Sequence, residues 1–138
     1  EVAAISPLHS RHRGDVRNVA AAVSPLDRAI RNLRVLVRRA AVAVRTDEVV
    51  PEQHLLVVER LADVVDRLAA ELEAGHLGIE VREPLVGVAR RSAHGVPGAS
   101  LSAEIIRAQV RSMVVDLLMV TGLGYREAIA LLSADGQR

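Results

Sequence analysis

Five histidines, one carboxylate set inside an apolar run, and four arginines within ten residues are the groups in this chain with chemistry to offer. The histidines come first, as the side chains best suited to proton transfer or metal binding near neutral pH. His9 and His12 stand three apart, but in a Pro- and Gly-bearing stretch with no sustained period, and His54, His76 and His94 fall near helix ends or loops. No HExxH is present. Glu73 and His76 have Glu-x-x-His spacing, but Gly75 between them marks a helix end, so they do not form a core-facing pair. Solvated surface histidines are the expected reading, with no metal site.

Asp116 is the carboxylate in the apolar run "MVVDLLMV". A catalytic carboxylate needs a partner and a pocket. On a helical wheel Asp116 shares an edge with Gln109 and Ser112, which points to a structural acid paired with an arginine of a neighbouring helix, such as Arg31 or Arg34. The glycine pairs of "TGLG" and "GVPG" lack phosphate-loop spacing, and no GxSxG occurs. The chain has no cysteine, hence no thiolate nucleophile and no disulfide. No catalytic residue, cofactor site or metal site is assigned, and the protein is read as a non-enzyme.

The stretch "RNLRVLVRRA" (31–40) belongs to a basic first third. Residues 1–45 hold nine arginines against Glu1, Asp15 and Asp27, a net +6, and the remainder carries −5. There is no lysine and one aromatic residue, Tyr125. Nucleic-acid binders join positive charge to a recognisable module or to stacking aromatics, so this composition argues against nucleic acid. An anionic lipid surface is the more economical counterpart, at about 1 kcal/mol per nearby basic residue.

The elements that must position these groups are helical. "SPLD" (24–27) reads as a helix start, with Ser24 as N-cap and Pro25 in the first turn. From there Leu26, Ile30, Leu33, Val37, Ala40 and Val44 recur at steps of four and three, an amphipathic seam expected to face the core. A second helix over 51–74 shows the same spacing through Leu55, Val58, Ala62, Val65, Ala69 and Leu72. A short helix over 82–94 offers Leu85, Val88 and Ala89. A long one over 102–121 offers Ile106, Val110, Met113, Leu117 and Val120, and a short one spans 125–134. No segment alternates as a β-strand would. The expected fold is all-α: an antiparallel helical bundle of three long and two short helices over residues 24–138, preceded by a basic lead-in over residues 1–23. No segment has the eighteen or so uncharged apolar residues of a membrane span. The chain starts at Glu1 without an initiator methionine, which reads as a processed product or, by preference, a piece of a longer polypeptide.

Two stretches, "LDRAIRNLRVLVRRA" (26–40) and "AQVRSMVVDLLMVTGL" (108–123), resemble the soluble C-terminal region of actinobacterial fusaric-acid-resistance-type membrane proteins, the aromatic acid exporter family. The similarity reaches across residues 20–132. It implies a domain on the cytoplasmic face of the cell membrane, joined to a transmembrane part of the same polypeptide, in a transporter that exports aromatic acids or similar small compounds. Arg31, Asn32, Arg34, Arg38, Arg39, Gln109, Arg111 and Asp116 match the family patterns and are read as architectural or coupling positions. The implied role is assembly, stabilisation or regulation, with the basic lead-in over residues 1–23 close to the membrane and the N-terminal arginines facing anionic lipid, and homo-oligomerisation is compatible with it. A free-standing helical interaction module and a small-ligand-sensing bundle are the alternatives.

Overall fold

The computed structural model describes the backbone of residues 7–134 and the side chains of residues 16–133. It is all-α, with five helices in the described part: α1 (Pro7–Arg45), α2 (Glu52–Glu73), α3 (Arg82–Arg91), α4 (Leu101–Val120) and α5 (Tyr125–Ala134), with a single 3₁₀ turn over Ile79–Val81 leading into α3. Cross-helix contacts set the directions. Arg28 and Asn32 of α1 meet Asp116 of α4, whereas Glu48 just past α1 meets Ser102 at the start of α4. α1 and α4 are therefore antiparallel. Arg82 reaches Thr121 while Arg107 reaches the carbonyl of Ser92, so α3 also runs against α4.

Helix α1 is longer than the sequence pattern suggests. Ser24 and Pro25 do not open it: the helix runs 39 residues, with Pro25 buried in its interior. A proline at that point forfeits one backbone hydrogen bond, and its ring is taken up in packing instead. The Ser24 hydroxyl, free of capping duty, accepts from Arg28 Nη1 at 3.0 Å. Residues 7–23, read from sequence as a lead-in, are helical; residues 1–6 lie outside the described part.

The core-facing sides of α1 and α2 are each one residue out of step with the expected seams. On α1 the buried positions are Pro25, Ala29, Leu36 and Ala43, and on α2 they are His54, Val57, Leu61, Val64 and Leu68. Leu26, Ile30, Leu33, Val37 and Val44 are exposed, as are Leu55, Ala62, Ala69 and Leu72, with Val58 and Val65 half-buried. One residue is 100° on a helix, so both expected seams lie a quarter-turn away from the true packing faces. Helices α3 and α4 follow expectation. Leu85, Val88 and Ala89 are buried, and so are Ile106, Val110, Met113, Leu117 and Val120.

Helix α4 is the centre of the bundle, in contact with all four other helices. Ser100 caps it, accepting from the Ala103 amide at 3.2 Å as the N-cap serine of a helix does. Its far end is closed by Arg82, which donates from Nε to the Thr121 hydroxyl at 2.9 Å and from Nη2 to the Thr121 carbonyl at 2.6 Å. A guanidinium there satisfies an orphan carbonyl and meets the negative end of the helix dipole.

Candidate functional site

The polar cluster between α1 and α4 gathers the largest share of the residues singled out by sequence. Asp116 is buried, with its side chain 8% exposed. One oxygen accepts from Arg28 Nε at 2.8 Å and the other from Asn32 Nδ2 at 2.9 Å. Arg28 also reaches the Met119 sulfur with Nη2, at 3.4 Å. The partner of Asp116 is thus Arg28, not Arg31 or Arg34. Positions 28 and 32 are one helical turn apart on the side of α1 that faces α4, whereas 31 and 34 point away. Both carboxylate oxygens are held by donors, and among the described residues no second acid pairs with them. The arrangement holds two helices in register; it has no general acid–base pair.

The remaining positions divide by face. Arg31 is on the outer surface and pairs with Asp27 one turn back, at 2.5 Å. Arg34 and Arg38 are exposed, without an ion pair among the described residues. Arg39 is half-buried, its Nε enclosed with no hydrogen-bond partner among the described residues. Gln109 is half-buried on α4. Arg111 donates from Nη1 to the Ala89 carbonyl at 3.2 Å, and Arg107 beside it donates to the Ser92 carbonyl at 3.0 Å. These two arginines bind the carbonyl end of α3 and tie it to α4. The eight candidate positions therefore do not converge on one site: Asn32 and Asp116 meet, Arg111 joins α4 to α3, and the arginines at 31, 34 and 38 form an outer stripe.

Where α1 ends and α2 and α4 begin, a second polar cluster appears that sequence reasoning missed. Glu48 Oε2 accepts from the Ser102 amide at 3.1 Å, and its other oxygen accepts from the Thr46 hydroxyl at 3.0 Å. Hydrogen bonds from Ser102 first, then from Thr46, hold the Glu48 carboxyl down at about 2. Glu104 is held below the ordinary carboxylate range chiefly by its hydrogen bonds from Arg107, at 3.0 and 2.7 Å. His54, expected at the surface, is 3% exposed, and neither ring nitrogen has a hydrogen-bond partner among the described residues. The only sequence signal for this cluster was proximity to helix starts, which does not tell a buried histidine from a wet one. His76 and His94 are exposed as expected, and His76 Nδ1 lies 3.1 Å from Glu71. The side chains of His9 and His12 lie outside the described residues. Among the described residues no group of three or more His, Cys, Asp or Glu is placed to hold a metal ion.

Two clefts open on the surface. One, about 470 Å³, lies between α2 and α3, where Arg60, Arg67 and Arg91 are interleaved with Asp63 and Glu83. The other, about 690 Å³ and shallower, has Ile79, Leu123, Ala130 and Leu131 as its apolar wall. In the first, Asp63 and Glu83 offset two of the three arginines. The second carries Arg82, but that guanidinium is already committed to Thr121.

No family model matches the chain, and no solved structure does. It is similar to an uncharacterized protein of Corynebacterium glutamicum, 36% identical over 141 residues, a match that covers 96% of this chain and 36% of that protein. The chain thus spans little more than a third of the length of the curated relative it matches. No helix among the described residues is long and apolar enough to cross a membrane.

Proposed function

We propose that this chain is a non-catalytic helical domain of a longer membrane-bound polypeptide of the aromatic acid exporter type, serving its assembly, stability or regulation at the cytoplasmic face. The observation that carries the reading is how α1 divides its surface. One side packs on α4 through Ala29, Leu36 and the Asp116 cluster, leaving Arg31, Arg34, Arg38 and Arg45 outward. The Asp116 cluster serves packing, and the outward arginines, of which Arg31 is paired with Asp27, face away from the bundle, where an anionic headgroup layer or the membrane part of the same polypeptide would meet them. The likeness at residues 26–40 and 108–123, together with a relative nearly three times as long, supports a larger parent protein. No cofactor and no nucleic acid enter this reading.

Two measurements test it. At low salt the protein should co-sediment with vesicles containing anionic phosphatidylglycerol and release as salt rises; equal binding to neutral phosphatidylcholine vesicles would sink the lipid-facing part. The coding sequence flanking this chain should encode several apolar segments of about 20 residues, and their absence would remove the transporter part. A free-standing interaction module is a second reading, favoured by the apolar side chains that α1 leaves uncovered.

A further inference from the structure

Helix α1 carries two apolar seams, and only one of them is used. The outer one runs through Val16, Val19, Val23, Leu26, Ile30, Leu33, Val37, Ala40 and Val44, with steps of three and four alternating without a break. Ala40 is half-buried; the other eight are between 40% and 83% exposed. This is a heptad repeat sustained over four heptads, with Val16, Val23, Ile30, Val37 and Val44 at a, and Val19, Leu26, Leu33 and Ala40 at d. At 1.5 Å per residue the seam is about 42 Å long, and at a helix width of about 10 Å it covers roughly 400 Å². Packing on α4 does not account for it, because that is the work of the adjacent face. A strip of roughly 400 Å² matches the largest apolar patch of a typical monomer, and such patches are often functional; its unbroken heptad spacing is what points to a partner helix.

We infer that the outer seam of α1 pairs with the same seam of a second copy of this chain, as a two-stranded antiparallel coiled coil. The seam is a single strip along one helix whose adjacent face is already packed on α4, so one partner helix covers it. The residues beside it choose the direction. The g positions are Ala22, Ala29, Leu36 and Ala43, and the last three are buried against α4. A parallel partner would set its e residues, Asp27 and Arg34 among them, against these apolar groups. An antiparallel partner sets e against e, which brings Asp27 opposite the partner's Arg34 and Arg34 opposite the partner's Asp27. The register that makes both pairs also layers Ile30 on the partner's Leu33, Leu26 on the partner's Val37, and Val23 on the partner's Ala40. A two-fold contact of this kind is self-complementary. It stands on the seam alone and holds whether or not the chain belongs to a transporter.

The cysteine-free chain makes the test clean. Sedimentation of the 138-residue protein should show a concentration-dependent dimer. Leu33→Arg should leave helicity unchanged, since Leu33 is outside the core, and weaken self-association at least roughly tenfold. Asp27→Arg should weaken it too by setting like charges together, and Asp27→Arg with Arg34→Asp should restore it. Under mild oxidation, Val23→Cys mixed with Ala40→Cys should give a linked dimer, while Val23→Cys alone should not, because its copies would lie about 25 Å apart. A protein that stays monomeric at all concentrations overturns the proposal, as does a Leu33→Arg variant that dimerises normally. Self-linking of Val23→Cys would show a parallel pair and overturn the antiparallel one. Arg31, Arg38 and Arg45 lie outside the e positions that flank the seam, so vesicle binding measured on the unsubstituted chain leaves the membrane reading to its own test.

Discussion

Asp116 and Arg28 meet at 2.8 Å across the α1–α4 interface, though 88 residues separate them in the chain. With Asn32 on the second oxygen, this one carboxylate ties two successive turns of α1 to α4. Asp116→Ala strands the Asn32 amide and the partly buried Arg28 guanidinium, and should cost about 2 kcal/mol. Arg28→Ala should cost at least as much, because it leaves the Asp116 carboxylate, whose side chain is 8% exposed, with Asn32 but no cation. Urea unfolding followed by circular dichroism gives both values. An Asp116→Ala midpoint within error of wild type would show that the pair does not set the register.

The same interface shows what could be read from the residues and what could not. Helix α4 was legible because neighbours surround most of it, so its apolar positions are its buried positions and "MVVDLLMV" stands out in any period. On α1 the stronger period is the outer one: Leu26, Ile30 and Leu33 outweigh the small Ala29 and Ala43 that touch α4. Periodicity reports apolar side chains, not which face of the helix is covered. The residues that do mark the inner face are polar. Arg28 and Asn32 repeat at one turn, and they become intelligible only once Asp116 is known to need two donors. Pro25 misled for a related reason, since its fit to a first helical turn is local while its burial depends on α4. His54 carried only its nearness to a helix start, which says nothing of burial.

Gly78 should be intolerant of substitution. Its φ of +69° lies in the left-handed region, and a Cβ there would strike the Leu68 methyl Cδ1 from the end of α2. Gly78→Ala combines backbone strain with a displaced core side chain, and should lower stability by about 1–3 kcal/mol. Gly75, also left-handed but with open space around its Cβ, isolates the backbone part. Gly75→Ala should cost less than Gly78→Ala in the same thermal unfolding experiment, and equal losses would remove the packing contribution.

Stability should fall in acid partly through Glu48. Its carboxyl titrates at about 2 in the folded chain against an ordinary 4.5, so between those values the unfolded chain binds more protons. The contribution is complete above about pH 4.5 and drains away as pH drops through about 2. Glu104, lowered through Arg107, acts in the same direction. Glu48→Gln should therefore be less stable than wild type at pH 7, with a gap that narrows as the pH falls toward 2. Urea midpoints measured between pH 7 and pH 2.5 check this, and a constant gap would mean that the Glu48 charge is not responsible.

His54 offers the sharpest test of what lies between the starts of α2 and α4. A buried imidazole with two unpartnered nitrogens is a liability that a hydrophobic side chain of similar size removes. His54→Leu at pH 7 should keep or raise stability, by up to about 1 kcal/mol. Glu104 is close enough for its carboxyl to feel the ring electrostatically, which gives the opposite result a definite meaning. Were His54→Leu to lose more than about 1 kcal/mol, the ring would be interacting with Glu104 strongly enough to offset its burial. His54→Leu in a Glu104→Gln background would then identify that coupling, because the loss should vanish once the carboxylate is gone.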